Sequence, residues 1–139
     1  MNNMKKITFA LMLFAILVSC GQNNKKAENA VTIDETAVNV FYFHGKQRCK
    51  TCVAVGDVAR ETVEAAFADN EKVIFINICT TDNAYEALFE KYEVSWNALI
   101  IAKGEDFIEI TDQAFATAVE NPQSLENLIK KEVNKRLSN

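Results

Sequence analysis

The chain has 139 residues, 49% of them hydrophobic and 24% charged, which is the usage of an ordinary globular domain rather than of a disordered or fibrous chain. Four Gly and one Pro exclude collagen-like and Gly/Pro-rich low-complexity sequence, and no internal repeat is visible that would suggest a solenoid. A net charge of −4 argues against a nucleic-acid partner, because that contact neutralises phosphates with clustered Lys and Arg.

At the N-terminus, Lys5 and Lys6 precede an apolar run from Ile7 to Val18 that only Thr8 interrupts. A helix crossing a bilayer needs roughly 17–25 apolar residues, so this run is too short for a permanent span. A basic start followed by a short apolar stretch is the pattern of a secretory signal. It ends in Leu17-Val18-Ser19-Cys20-Gly21, which resembles the lipobox of bacterial lipoproteins. That resemblance implies cleavage before Cys20, diacylglycerol on its thiol and a further acyl chain, such as palmitate, on its freed amine. The alternative is an ordinary signal peptide with a coincidental Cys. Three acyl chains exceed the single chain that binds membranes only marginally, so the anchor is expected to be stable. Gly21 carries no evident inner-membrane retention signal. The expected location is therefore the cell envelope, at the outer membrane, with the domain facing the periplasm.

Removing residues 1–19 takes away two Lys and no acid, leaving 13 basic against 19 acidic residues, a net of −6. Residues 21–30 are polar and without periodicity, as in a flexible tether. The expected organisation is a signal peptide over 1–19, a lipidated Cys20 with its tether over 20–30, and one domain over 31–139.

Within that domain, Val38 to Phe43 is rich in β-branched and aromatic residues and predicts a buried strand. From Cys49 the pattern turns helical, with Cys52, Val55, Ala59, Val63, Ala66 and Phe67 recurring at spacings of three and four. Lys72 to Ile78 predicts a second strand. Asn83 with Glu86 three residues on marks a helix start, and Tyr85, Leu88, Phe89 and Tyr92 make its apolar stripe. Two apolar runs, Ala98–Ala102 and Phe107–Ile110, flank Lys103-Gly104-Glu105-Asp106 and predict a hairpin. Residues 112–120 are a candidate for a short extra helix. Asn121-Pro122 suits a helix cap and first position, and Leu125, Leu128, Ile129, Val133 and Leu137 line the helix that follows. Its Lys130, Lys131, Lys135 and Arg136 are expected on a solvated face near the dipole-favoured end. The fold class is α/β, in the order β-α-β-α-β-β-α: a central mixed β-sheet flanked by helices. Tyr42, Phe43, Phe67 and Phe75 are expected in its core.

Cys49-Lys50-Thr51-Cys52 is the motif with chemistry in it. Three readings are open: half of a metal site completed by Cys79 and His44, a structural disulfide suited to an oxidising compartment, or a redox pair. No second CxxC and no HxxxH accompanies it, and no metal is expected. His44, the only His, is either a base or charge partner for the thiols or a hydrogen-bonded His at a strand exit. Trp96 is either a wall of a substrate groove or a partly buried loop aromatic. Cys79 is either a third thiol within reach of the pair or a small residue that packs.

A strand, a short loop, CxxC opening a helix and then β-α-β-β-α resembles the thioredoxin-like superfamily. Ile76-Asn77-Ile78-Cys79, Lys91-Tyr92-Glu93-Val94 and Leu99-Ile100-Ile101 followed by Lys-Gly-Glu strengthen the likeness, which runs from Val38 to Leu137. It implies a thiol–disulfide oxidoreductase in which Cys49 attacks and Cys52 resolves, with no cofactor beyond that redox-active disulfide. It also implies protein thiols or disulfides as substrates and a membrane thiol reductase as electron donor. The helix start, with its unpaired N–H groups, favours a thiolate on Cys49, and the flanking Arg48 and Lys50 add to this. His44, Cys79, Trp96 and Asn97 complete the set of auxiliary candidates. The rival is a non-catalytic module of the same fold that holds a metal or partner through Cys49 and Cys52 with Cys79 or His44.

Two departures from the family pattern matter. The family's cis-proline loop here reads Val94-Ser95-Trp96-Asn97-Ala98, without Pro, so a trans loop is expected. The family's buried Asp is absent as well, its place falling at Tyr42 and Phe43, so proton transfer from Cys52 must use another group or water.

Overall fold

β-Branched and aromatic side chains favour extended backbone and fill both faces of a pleated strand, and here they make Val38–His44 a strand, β1, with all seven residues buried. A computed structural model describes residues 31–139, so the signal peptide, Cys20 and the tether lie outside the described residues. After β1 come α1 (Lys50–Ala66), β2 (Val73–Cys79), a 3-10 turn (Asn83–Tyr85) running into α2 (Glu86–Lys91), β3 (Ala98–Lys103), β4 (Asp106–Glu109), α3 (Thr111–Thr117) and α4 (Pro122–Leu137). The four strands form one mixed sheet in the order β2-β1-β3-β4. β1 and β2 run parallel, from Val38 opposite Val73 to His44 opposite Cys79, while β3 and β4 add antiparallel. The architecture is thus α/β with a mixed sheet, as expected.

The pleat sends alternate residues to opposite faces. Val38, Val40, Tyr42, Leu99 and Ile101 meet Val55, Ala59 and Val63 of α1, Ala114 of α3 and Leu125, Ile129 and Val133 of α4 in one core. Phe41, Phe43, Ile78 and Ile100 meet Leu88 and Phe89 of α2 in a second, thinner one. Burying each such side chain stabilises by about 1.5–3 kcal/mol, so the three-helix side carries most of the apolar stabilisation. Among the described residues no helix is long and apolar enough to cross a membrane.

Several local expectations need correcting. The β-α-β-α-β-β-α order lacks one helix: the candidate at residues 112–120 does fold, as α3 over Thr111–Thr117, and buries Ala114 against α1, β3 and α4. Asp82, not Asn83, caps the helical turn after β2: its Oδ1 accepts the Ala84 N–H at 3.0 Å. Ala66 is exposed, and Phe67 and Phe75 are half-buried against the larger core rather than inside it. The basic end of α4 is not wholly solvated. Arg136 is 2% exposed, held by Glu132 at 2.9 Å and Asp106 at 3.1 Å. Asn121 does cap α4, its side chain accepting from Ser124 N–H at 3.2 Å with Pro122 in first position. In the hairpin, Gly104 has φ +58°, the left-handed backbone that glycine adopts without strain. Lys91 ties this turn to the chain before β1, reaching Glu105 and Glu35 at 3.0 Å each.

Candidate functional site

β1 leaves the sheet after His44, and five residues later Cys49 begins α1 as its cap, with extended φ −75° and ψ 168°. A helix start leaves N–H groups without intrahelical partners. The Cys49 Sγ takes one of them, accepting from the Cys52 N–H at 3.2 Å. Cys49 and Cys52 are joined in a disulfide with Cα atoms 5.0 Å apart. The two sulfurs differ in surroundings: Cys49 is exposed, whereas Cys52 is 6% exposed. A solvent-borne thiolate therefore meets Cys49 first.

Beneath Cys52 lies a buried polar arrangement. The Tyr42 hydroxyl donates to the Cys52 carbonyl oxygen at 2.6 Å, and Arg48 Nη2 donates to the same oxygen at 3.3 Å. The Arg48 guanidinium also stacks over the Tyr42 ring, 5.4 Å from its centroid. Burial pushes the Tyr42 phenol up from its ordinary value, with Arg48 opposing the shift, so this hydroxyl stays protonated and donates. The ring fits only because position 56 is glycine: a Cβ there would lie 2.8 and 2.9 Å from Tyr42 ring carbons and 2.6 Å from Arg48 Nη2. The sequence places Tyr42 in the core and gives Gly56 no role of its own. A glycine inside an otherwise regular amphipathic helix is the signal that marks such a close approach.

β1 and β3 are antiparallel with Phe43 opposite Ala98, so the next residues outward bring Asn97 beside His44 and Gly45. The Asn97 Oδ1 accepts the Gly45 N–H at 3.3 Å, and its Nδ2 lies 3.9 Å from Cys52 Sγ. Alternation along the strands puts Asn97, His44 and Cys79 on the α1 side of the sheet, in one row at the edge from which α1 starts. The His44 ring is buried, packs on Tyr42 at 5.6 Å and has its Nδ1 2.8 Å from the Gly45 carbonyl oxygen. Cys79 is not a packed core residue: it is half-buried, with its Sγ 3.2 Å from Thr81 Oγ1. Hydrogen bonds from Thr81 hold its thiol below the ordinary value, helped by Lys46 and opposed by burial and Asp82.

Trp96 is 69% exposed, so the partly buried alternative for it does not hold. Lys46, Arg48 and Lys50 are exposed and make no ion pair among the described residues. All peptide bonds among the described residues are trans, including those of the Val94–Ala98 loop. Among them, too, no three His, Cys, Asp or Glu side chains are grouped so as to hold a metal ion.

Fold and site together define an α/β domain with a CxxC disulfide at the start of its first helix, an arrangement suited to redox exchange or to binding. No family model matches the chain, and no curated protein matches it.

Proposed function

We propose that the chain is a thioredoxin-like thiol–disulfide oxidoreductase of the bacterial envelope, anchored by lipid on Cys20. The observation that carries the reading is the unequal burial of the joined sulfurs, Cys49 open to solvent and Cys52 shielded at the first turn of α1. A reducing thiolate, from a membrane thiol reductase, attacks Cys49 Sγ and opens the bond. A second thiol then completes the two-electron reduction to the dithiol. In the forward step the Cys49 thiolate attacks a substrate disulfide, forming a mixed disulfide and releasing one substrate thiolate. Cys52 displaces the other, so the substrate gains two electrons and the domain returns to its disulfide. Exposed Trp96, next to Asn97 in the chain, and the exposed cations Lys46, Arg48 and Lys50, which flank Cys49 in sequence, suit a protein segment as substrate.

The test is reduction of an insulin-type disulfide protein by dithiothreitol with and without the chain. Acceleration well above the uncatalysed reaction is expected; a rate equal to the blank would remove the enzyme reading and leave the partner-binding one. Location has its own test: Cys20→Ser is expected to leave the chain unprocessed or free of membranes, and fractionation showing it processed and membrane-bound like the parent would overturn the lipid anchor.

A further inference from the structure

We propose that the Asn97 side-chain amide is the positioning group of the resolving sulfur, a hydrogen-bond donor aimed at Cys52 that favours its thiolate. The inference rests on the exchange reading above and deepens it, since a chain without the family's buried Asp needs some other group to assist Cys52.

The amide oxygen accepts and its nitrogen donates, so the partners fix which way the side chain is turned. The Gly45 backbone N–H can only donate, so the Asn97 atom facing it at 3.3 Å is the oxygen. The nitrogen is thereby turned to Cys52 Sγ at 3.9 Å. Both ends of the amide are thus engaged, one on the loop leaving β1 and one on the Cys52 sulfur in the first turn of α1. In the disulfide the sulfur is a poor acceptor, and the contact is long. Once the bond opens, a negative sulfur is a far better acceptor, and charge-assisted bonds are shorter and stronger. The interaction therefore favours the thiolate over both the thiol and the disulfide.

The other polar groups at this place are directed elsewhere. Tyr42 from β1 and Arg48 from the loop hold the Cys52 carbonyl oxygen, and His44 has its Nδ1 at the Gly45 carbonyl. Asn97 is the side-chain donor that reaches the Cys52 sulfur among the described residues. Its step balances: in the mixed disulfide the Cys52 thiolate attacks Cys49 Sγ, the Cys49–Cys52 bond forms, the bond to substrate breaks, and the departing substrate thiolate takes a proton from water.

The substitution that separates this role from packing is Asn97→Asp. It keeps the shape and an oxygen for Gly45 N–H, but replaces the donor facing Cys52 with a carboxylate. In the full chain carrying Cys49→Ser, kept reduced, iodoacetamide labelling against pH, located to Cys52 by peptide mass so that Cys79 is counted apart, reads its ionisation. Asn97→Asp is expected to raise that midpoint by about 1–3 pH units, and Asn97→Leu by about one. With both cysteines present, the mixed disulfide with substrate should persist about threefold longer for each unit. Fewer thiolates cost a factor of ten per unit, which their greater nucleophilicity offsets in part. Should the Cys52 midpoint stay where it is in both variants, the proposal fails even if exchange activity is intact. A midpoint that moves in a chain whose parent shows no exchange would leave this contact standing and remove the enzyme reading instead.

Discussion

Cys49→Ser is expected to reduce catalysed exchange to the rate of the free reductant, whereas Cys52→Ser is expected to leave a chain that reacts once and stops. The difference follows from the environments of the two sulfurs. Cys49 is exposed at the helix cap, where unpaired N–H groups favour a thiolate, and serine at that position stays protonated at neutral pH and is far less nucleophilic. Cys52 is 6% exposed and its Cα is 5.0 Å from that of Cys49, which suits it to attack the mixed disulfide from within rather than a substrate from solution. Without it the adduct has no internal exit. Mass spectrometry of non-reduced Cys52→Ser after incubation with substrate should show the chain plus one substrate mass, and Cys49→Ser should show none. Equal trapping by both variants would contradict the division of roles.

The second large effect is structural and reaches the same site. Gly56→Ala should destabilise the oxidised protein by about 1–3 kcal/mol, although alanine is the better helix former by about 1 kcal/mol. The new methyl would sit 2.8 and 2.9 Å from the Tyr42 ring, which is fully buried and has its hydroxyl bonded to the Cys52 carbonyl. Arg48, also in the way at 2.6 Å, is the flexible end of an exposed residue and can give way cheaply. The ring cannot move without straining the core, and overpacking of this kind costs about 1–3 kcal/mol, with about 1 kcal/mol more for the lost hydrogen bond. Strain and lost bond together exceed the gain in propensity. Urea unfolding measures the difference, and a double-mutant cycle locates it: combined with Tyr42→Leu, the same Gly56→Ala change should become neutral or stabilising. An alanine variant as stable as the parent in the Tyr42 background would show that the ring yields freely.

What could be read from the sequence was what depends on near neighbours. Val38–Phe43 and Val73–Ile78 identify themselves as strands by their β-branched and aromatic runs, the α1 stripe by its spacing, and Asn121-Pro122 by the backbone needs of a helix start. The CxxC likewise declared its place at the head of α1. Features that depend on distant partners stayed hidden. Arg136 lies in a run of cations that looks like a solvated surface, and its burial follows from Asp106 thirty residues earlier in the chain, on β4. Asn97 acquires meaning only from the β1–β3 register, which carries it to Gly45 and Cys52. Tyr42 looked like one more core aromatic because nothing near it in the chain tells that Gly56 leaves room for its ring. The 3-10 turn before α2 was missed for a local reason, since Asp82 and Asn83 are both good caps and adjacent.

The central claim, that Cys49–Cys52 is a redox-active rather than a structural disulfide, is tested most directly by its equilibrium in defined thiol–disulfide buffers. The full chain is held at a series of glutathione and dithiothreitol ratios, quenched with an alkylating agent and weighed. A reversible two-electron transition confined to Cys49 and Cys52 is predicted, with a midpoint above about −300 mV and Cys79 alkylated at every ratio. A pair that remains joined to potentials below about −300 mV, the range of structural disulfides, would contradict it.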